Sequence, residues 1–346
     1  MKIKNREAIF STVNFVSVKI FTLSLQSMTN ISGNAVWLFF TVNTLFSALM
    51  FALIYFFYKK SGYKDIFLCL PPFFRKVLGI ILAGYFVVSS ALMLDVLIKS
   101  VIKTFMPSSP TLFIAVFFIP AIIYAAMKGI KSNVSLALII APVLSFVIVV
   151  FTVLLPYSDF TNLFPILGSN DFYLKAFLGF NFFSDFLIFV LMMPYLEHRE
   201  KALKTGLTAI FVTAFLCLLV IVSSVITIPS KVRFFSPFYY MVSFLAGSRS
   251  AVNFVKILKL SFLLNFFLYF STAIAFGAEC LKKGFSLKYE KETVPLLALC
   301  LLLITEIGFG KNVITVYDEF LKYSFILFPA AFLFVYIFTK KEGRLK

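Results

Sequence analysis

Residues 35–57 read AVWLFFTVNTLFSALMFALIYFF, and residues 207–228 read LTAIFVTAFLCLLVIVSSVITI. Neither stretch holds a charge, and each is long enough to cross a hydrocarbon core of ~30 Å as a helix. Lipid offers no hydrogen bonds, so a spanning segment must pair every backbone group internally. A membrane barrel would show ~10-residue segments of alternating apolar and polar residues. These runs are continuous, so the reading is helical.

The rest of the chain follows the same pattern. Its 346 residues are 61% hydrophobic and 14% charged, with a mean hydropathy of +0.99. A soluble domain is about 45–50% apolar and about 25% charged. This excess excludes a soluble enzyme, a nucleic-acid-binding domain and a disordered chain. Ten spans are expected, near 9–29, 34–57, 77–104, 111–128, 134–155, 175–195, 205–228, 254–279, 293–309 and 320–338. They leave room for one membrane domain, with no signal peptide and no soluble head. The fold class is an all-α polytopic membrane protein.

The net charge of +17 is distributed along the chain as a membrane protein distributes it. With both termini inside, the inner segments carry Lys2, Lys4 and Arg6; Lys59, Lys60, Lys64, Arg75 and Lys76; Lys128 and Lys131; Arg199, Lys201 and Lys204; Lys282, Lys283, Lys288 and Lys291; and Lys340, Lys341, Arg344 and Lys346. That is 21 of 32 basic residues. The bias places both termini in the cytoplasm. Such a face attracts anionic lipid head groups, and membrane lipids rather than nucleic acid are the expected partners.

Catalytic and metal signatures do not appear. Cys69, Cys217, Cys280 and Cys300 lack metal-ligand spacing, and His198 is the single histidine. A phosphate-binding loop, a nucleophile elbow and a zinc-protease helix are all missing. No enzyme activity, cofactor or metal is expected.

Polar residues inside the spans carry the functional signal. Lys19 lies about ten residues into span one and Asp185 about ten into span six. At 1.5 Å per residue each is roughly 15 Å deep, near the midplane. A lone charge there is costly, and two opposite charges at one depth invite an ion pair. Around them Asn14-Phe15-Val16-Ser17 in span one echoes Asn181-Phe182-Phe183-Ser184 in span six. These spans open the two halves of a five-plus-five arrangement, with repeat one near 9–155 and repeat two near 175–338. Inverted-repeat transporters place their sites between two such helices. The candidate ligand site is therefore Asn14, Ser17, Lys19, Thr22, Gly179, Asn181, Ser184 and Asp185, with Tyr85 and Ser89 of span three. Ordinary interhelical hydrogen bonds are the alternative. Ser90 on span three and Asn265 and Tyr269 on span eight sit equally deep; they could line a pocket, with packing the blander reading of each alone. Asp95 and Lys99 share a face near the outer end of span three. Glu306 and Glu279 read as interfacial.

Several short stretches resemble one family. Asn162-Leu163-Phe164-Pro165-Ile166-Leu167-Gly168 is similar to its Asn-Leu-x-Pro-x-Leu-Gly segment. Pro194-Tyr195-Leu196-Glu197-His198-Arg199-Glu200-Lys201 looks like the acidic-basic run closing its sixth helix. Met106-Pro107-Ser108-Ser109-Pro110 is similar to a Leu-Pro-x-Thr-Pro turn, and Gly33-Asn34-Ala35-Val36-Trp37 to a Gly-Thr-Ala-x-Trp helix start. Together they resemble the spore germination proteins of the amino acid permease superfamily, the membrane B subunits of nutrient germinant receptors.

The resemblance implies the ten-helix amino acid permease (LeuT-like) fold with two inverted five-helix repeats. It implies an A-type membrane subunit and a C-type lipoprotein as partners, and a small-molecule nutrient, an amino acid, as ligand. It implies residence in a bacterial cell membrane or spore inner membrane. Two departures stand out. Ser17-Val18-Lys19-Ile20-Phe21-Thr22 lacks the glycines that open span one in the superfamily, which counts against an unwound helix there; span six keeps Gly179. Ser248-Arg249-Ser250 stands where a Glu-Arg-x-Glu-like element is expected. The altered span one favours a sensor over a cation- or proton-coupled amino acid transporter. A structural subunit that binds no ligand is the third reading.

Overall fold

The computed structural model describes residues 2–21, 28–29, 32–104, 110–144, 148, 155, 158–164, 182–227, 252–307, 316, 319–320 and 323. Among them are nine α-helices: α1 Asn5–Ser17, α2 Val36–Lys60, α3 Pro72–Thr104, α4 Thr111–Met127, α5 Gly129–Leu144, α6 Leu187–Met192, α7 Ala202–Thr227, α8 Val252–Phe285 and α9 Val294–Ile307. The described residues form no strand; Ile3 and Leu196 make one isolated bridge.

Among the described residues, four helical segments are long and apolar enough to cross a membrane: Gly33–Lys60, Pro72–Lys99, Arg199–Thr227 and Leu263–Phe285. They lie on expected spans two, three, seven and eight. The positions expected for spans four and five fall on α4 and α5, which meet at a bend of 110° and are long and apolar enough to cross a membrane only when taken together, as a broken span or a re-entrant loop. Gly129 makes this corner with a φ of +82°, a conformation open to glycine at little cost. The bend strands carbonyls that the helix ladder would otherwise use. Asn133 Nδ2 supplies donors to the carbonyls of Ala125 and Gly129, both at 3.0 Å. The apolar segments Phe183–Tyr195 and Val294–Glu306 fall on spans six and nine. Most of span ten, and parts of spans one, five and six, lie outside the described residues.

The surface is inverted relative to a soluble protein. Leu45, Leu49 and Leu53 line one outward stripe of α2, each about half exposed or more, and Phe117, Ile139, Phe211 and Phe215 are also exposed. Such a belt belongs in lipid. The hydroxyls of Thr44, Ser47, Thr213, Ser224 and Thr305 bond to carbonyls three or four residues back in their own helices. This is how a polar side chain is satisfied without water.

The core is organised around α3, α8 and α1. Helices α3 and α8 pack along each other, and α1 is held against α5, α7 and α8. The α3–α8 crossing rests on glycine. A methyl group at Gly79 would stand 2.8 Å from the Cys280 carbonyl oxygen and 3.0 Å from Gly284 Cα. Small residues allow this approach where helices meet in membranes.

A polar cluster ties the basic ends of the helices. Lys283 Nζ on α8 lies 2.5 Å from Asp65 and 3.8 Å from Glu279. It also sits 4.5 Å from the centre of the Tyr195 ring. Tyr195 donates to Glu279 at 2.5 Å. Its carbonyl accepts from Ile3 N at 2.8 Å, and Glu197 N donates to the Ile3 carbonyl at 2.9 Å. The N-terminal segment, the end of the sixth span and α8 are thus clasped together.

Candidate functional site

The α-helical geometry of α1 ends at Ser17, and Val18–Phe21 continues as a 3₁₀ turn. In the sixth span the order is reversed: Phe182–Phe186 is 3₁₀ and α6 follows from Leu187. Lys19 and Asp185 therefore both project from tightened turns where a helix changes register. A 3₁₀ stretch inside a helix commonly marks a hinge. Backbone irregularity at membrane depth is tolerated where protein surrounds it, and Val18, Lys19, Ile20, Ser184 and Asp185 are all buried.

Lys19 Nζ lies 2.7 Å from Asp185 Oδ2, and both side chains have no solvent exposure. The lysine also donates to Ser184 Oγ at 3.3 Å. Tyr85 on α3 donates to Asp185 Oδ1 at 2.5 Å and to Ser184 Oγ at 3.2 Å. Tyr269 on α8 donates to Asp185 Oδ2 at 3.4 Å. Its hydroxyl is also 2.7 Å from Ser89 Oγ. Three donors from three different helical segments thus converge on one carboxylate. An ionised carboxylate accepts only, with about four lone-pair sites. The ion pair satisfies the condition under which buried charges persist, mutual pairing plus hydrogen bonds to the remaining valences.

Aromatic rings enclose the pair. Phe15 stacks on Tyr269 at 4.3 Å and meets Phe86 edge-on at 6.3 Å. Phe320 stacks on Tyr85 at 5.3 Å. Phe51 packs edge-on against Phe186 and Phe189, at 5.0 and 5.5 Å. Phe15 and Phe320 stack directly on the two tyrosine donors and so help to hold them in place.

The structure brings together Lys19, Ser184, Asp185 and Tyr85, and joins Ser89 to them through Tyr269. Asn14 takes a different partner, donating through Nδ2 to Asn265 Oδ1. Asn265 in turn donates to the Ser261 carbonyl at 2.8 Å. Ser17 Oγ turns back on its own helix, to the Asn14 carbonyl at 3.4 Å. Thr22, Gly179 and Asn181 lie outside the described residues.

Tyr269 belongs to the cluster, and Asn265 to the separate Asn14 pair, although packing was the blander reading of both. They are four residues apart on α8, so they share one face, but nothing in the chain says that this face meets α1. Two neighbours have unused hydrogen-bonding capacity. Ser90, beside Ser89, and Thr272, three residues beyond Tyr269, bury hydroxyl oxygens with no hydrogen-bond partner.

The remaining polar residues behave as interfacial groups. Lys99 pairs with Asp95 at 2.6 Å, with the lysine half exposed. His198 lies 3.4 Å from Glu200 in an exposed loop. None of the four cysteines forms a disulfide. No cluster of metal-ligating side chains occurs among the described residues.

The model of the spore germination protein family matches residues 2–305. No curated protein matches the sequence. The family match covers most of the chain and every residue of the charged cluster, and the helices are those of an integral membrane protein. The chain belongs to the spore germination protein family.

Proposed function

We propose that this protein is the membrane subunit of a germinant receptor. It senses a small nutrient, an amino acid, at the cluster between the first and sixth spans and couples binding to spore germination. The observation that carries this reading is the fully buried Lys19–Asp185 pair, set in two turns where helices change geometry. The pair presents one positive and one negative group at a single point. An amino acid carries the complementary pair of charges. Its carboxylate would take Lys19 and its ammonium Asp185, exchanging one ion pair for two. Because each charged residue sits on its own tightened turn, separating them moves two helices at once.

The wider assignment rests on the family. It comprises ten spans in two inverted five-helix repeats within a single membrane domain and no catalytic activity. Both termini face the cytoplasm, from a bacterial cell membrane or the spore inner membrane. An A-type membrane subunit and a C-type lipoprotein complete the receptor. A second reading, cation- or proton-coupled amino acid transport, is favoured by the tightened turns in the first and sixth spans, because transporters of inverted-repeat design interrupt helices at their sites.

Deletion of the gene, scored for nutrient-triggered germination of spores and for labelled amino acid uptake by growing cells, separates the readings. Lost germination with normal uptake supports the sensor. Normal germination with lost uptake supports the transporter. If germination is lost but the purified chain's melting temperature does not respond to nutrient, it is a subunit that only assembles.

A further inference from the structure

A groove of about 840 Å3 runs along the outside of the bundle between α1 and α7. One wall is the half-buried Phe10, with the fully buried Val13 behind it; the other is Leu207, Phe211 and Phe215, each four residues from the next on one face of α7. Lys204 stands at one end. From Lys204 to Leu216 the groove follows α7 for roughly 18 Å at 1.5 Å per residue. That is close to half of a ~30 Å hydrocarbon core, the depth of a single leaflet.

The charged end is doubly basic. Asn5 Nδ2 donates to Thr205 Oγ1 at 2.7 Å, which fixes the start of α1 beside the start of α7. Arg6 is exposed and lies four and seven residues before Phe10 and Val13, on the same face of α1. Arg6 and Lys204 therefore flank the mouth. The neighbouring acid, Glu7, is turned away, accepting from Lys4 N at 3.0 Å and from Ser135 Oγ at 3.1 Å.

The groove's shape favours a lipid over a protein helix. Helices associate in membranes through small residues that let backbones approach. On α7 the small residues Gly206, Ala209, Ala214 and Cys217 are buried inside the bundle. The outward face carries Leu207, Phe211 and Phe215, with both phenylalanines about half exposed. Bulky rings around an open slot suit a flexible acyl chain.

We infer that this groove is a binding site for an anionic phospholipid, with an acyl chain between Phe10 and Phe211 and the head-group phosphate at Arg6 and Lys204. The site is independent of the charged cluster inside the bundle and of any nutrient.

The full chain is reconstituted in phosphatidylcholine vesicles containing phosphatidylglycerol with a photoactivatable group on its acyl chain. After illumination, label is expected in peptides covering residues 10–13 and 203–216. Excess unlabelled phosphatidylglycerol should remove it and excess phosphatidylcholine should not. R6Q and K204Q should each weaken this competition about fivefold, from the usual contribution of one basic residue at an anionic surface. K288Q, at an exposed loop lysine, should leave it unchanged. Equal competition by the two lipids, or label spread evenly over the outer helices, overturns the proposal. So does protection of these peptides by a co-purified protein with no response to either lipid. The wild-type arm stands without the variants folding.

Discussion

Lys19 and Asp185 meet at 2.7 Å with neither side chain exposed, so each charge is the main reason the other is tolerable. Removing one member of a buried pair costs about 3–5 kcal/mol, because the survivor is left uncompensated. Lys19→Met and Asp185→Leu should each lower the melting temperature of the detergent-solubilised protein sharply. The double variant Lys19→Met/Asp185→Leu should recover more than half of that loss. A double variant as unstable as the sum of the two singles would show that the charges do not act as a pair.

Tyr85 and Tyr269 make different demands on the same carboxylate. Tyr85→Phe removes the 2.5 Å bond to Asp185 and should cost about 1–3 kcal/mol, the usual penalty for an unmatched buried partner. Ser89→Ala acts through Tyr269, 2.7 Å away. Its effect should shrink when Tyr269→Phe is already present. Additive losses in thermal melts would separate Ser89 from the cluster.

Two glycines of α3 should respond in opposite senses to alanine. Gly79→Ala places a methyl group 2.8 Å from a backbone oxygen of α8, and overpacking of this kind costs about 1–3 kcal/mol. At Gly84 nothing lies within 4 Å of the added atom. There the gain in helix propensity of about 0.5–1 kcal/mol should prevail. Unfolding midpoints of the two variants, compared with wild type, decide this.

The clasp at the basic end rests on Lys283. Lys283→Met removes its contacts with Asp65, Glu279 and the Tyr195 ring together. Hydrogen exchange at residues 193–197 should accelerate at least tenfold, while exchange in the middle of α7 stays unchanged. Equal acceleration throughout would mean global destabilisation and no local clasp.

Asp159, in the loop preceding the sixth span, is the titration that can be followed outside the membrane. Hydrogen bonds from the Thr161 hydroxyl and the Thr161 backbone N–H hold its carboxyl below the usual carboxylate range. A depressed carboxyl contributes its capping above the unfolded-chain value and loses it only as pH falls through the lower folded value. Thr161→Val should move the Asp159 midpoint upward in a carboxyl-resolved NMR titration. An unmoved midpoint would assign the depression to another source.

The long spans were legible because lipid allows few solutions: long, mostly apolar runs near 34–57, 77–104, 205–228 and 254–279 had to be helices. The Lys19–Asp185 pair was legible by depth alone, from counting residues into each span. What surrounds the pair was not. Which face of α8 meets α1 depends on packing, so Tyr269 and Asn265 looked like isolated polar residues. The first span lacks glycine, and its sequence argued against an open backbone. Val18 adopts φ −54° and ψ −34°, helical values that β-branched residues reach without strain. The turn tightens without opening, a change for which the sequence carries no signal. The bend at Gly129 was hidden for a related reason, since a lone glycine between apolar runs marks a loop and says nothing about its angle.

The backbone pairing of Ile3 with Tyr195 and Glu197 gives the first residues mechanical leverage. Tyr195 closes the helical stretch that begins at Phe182 and contains Asp185. Tension on the amino-terminal segment is delivered to that stretch directly, without passing through the lipid-facing helices. A force applied to residues 2–4 at the membrane surface therefore acts on the stretch that carries Asp185.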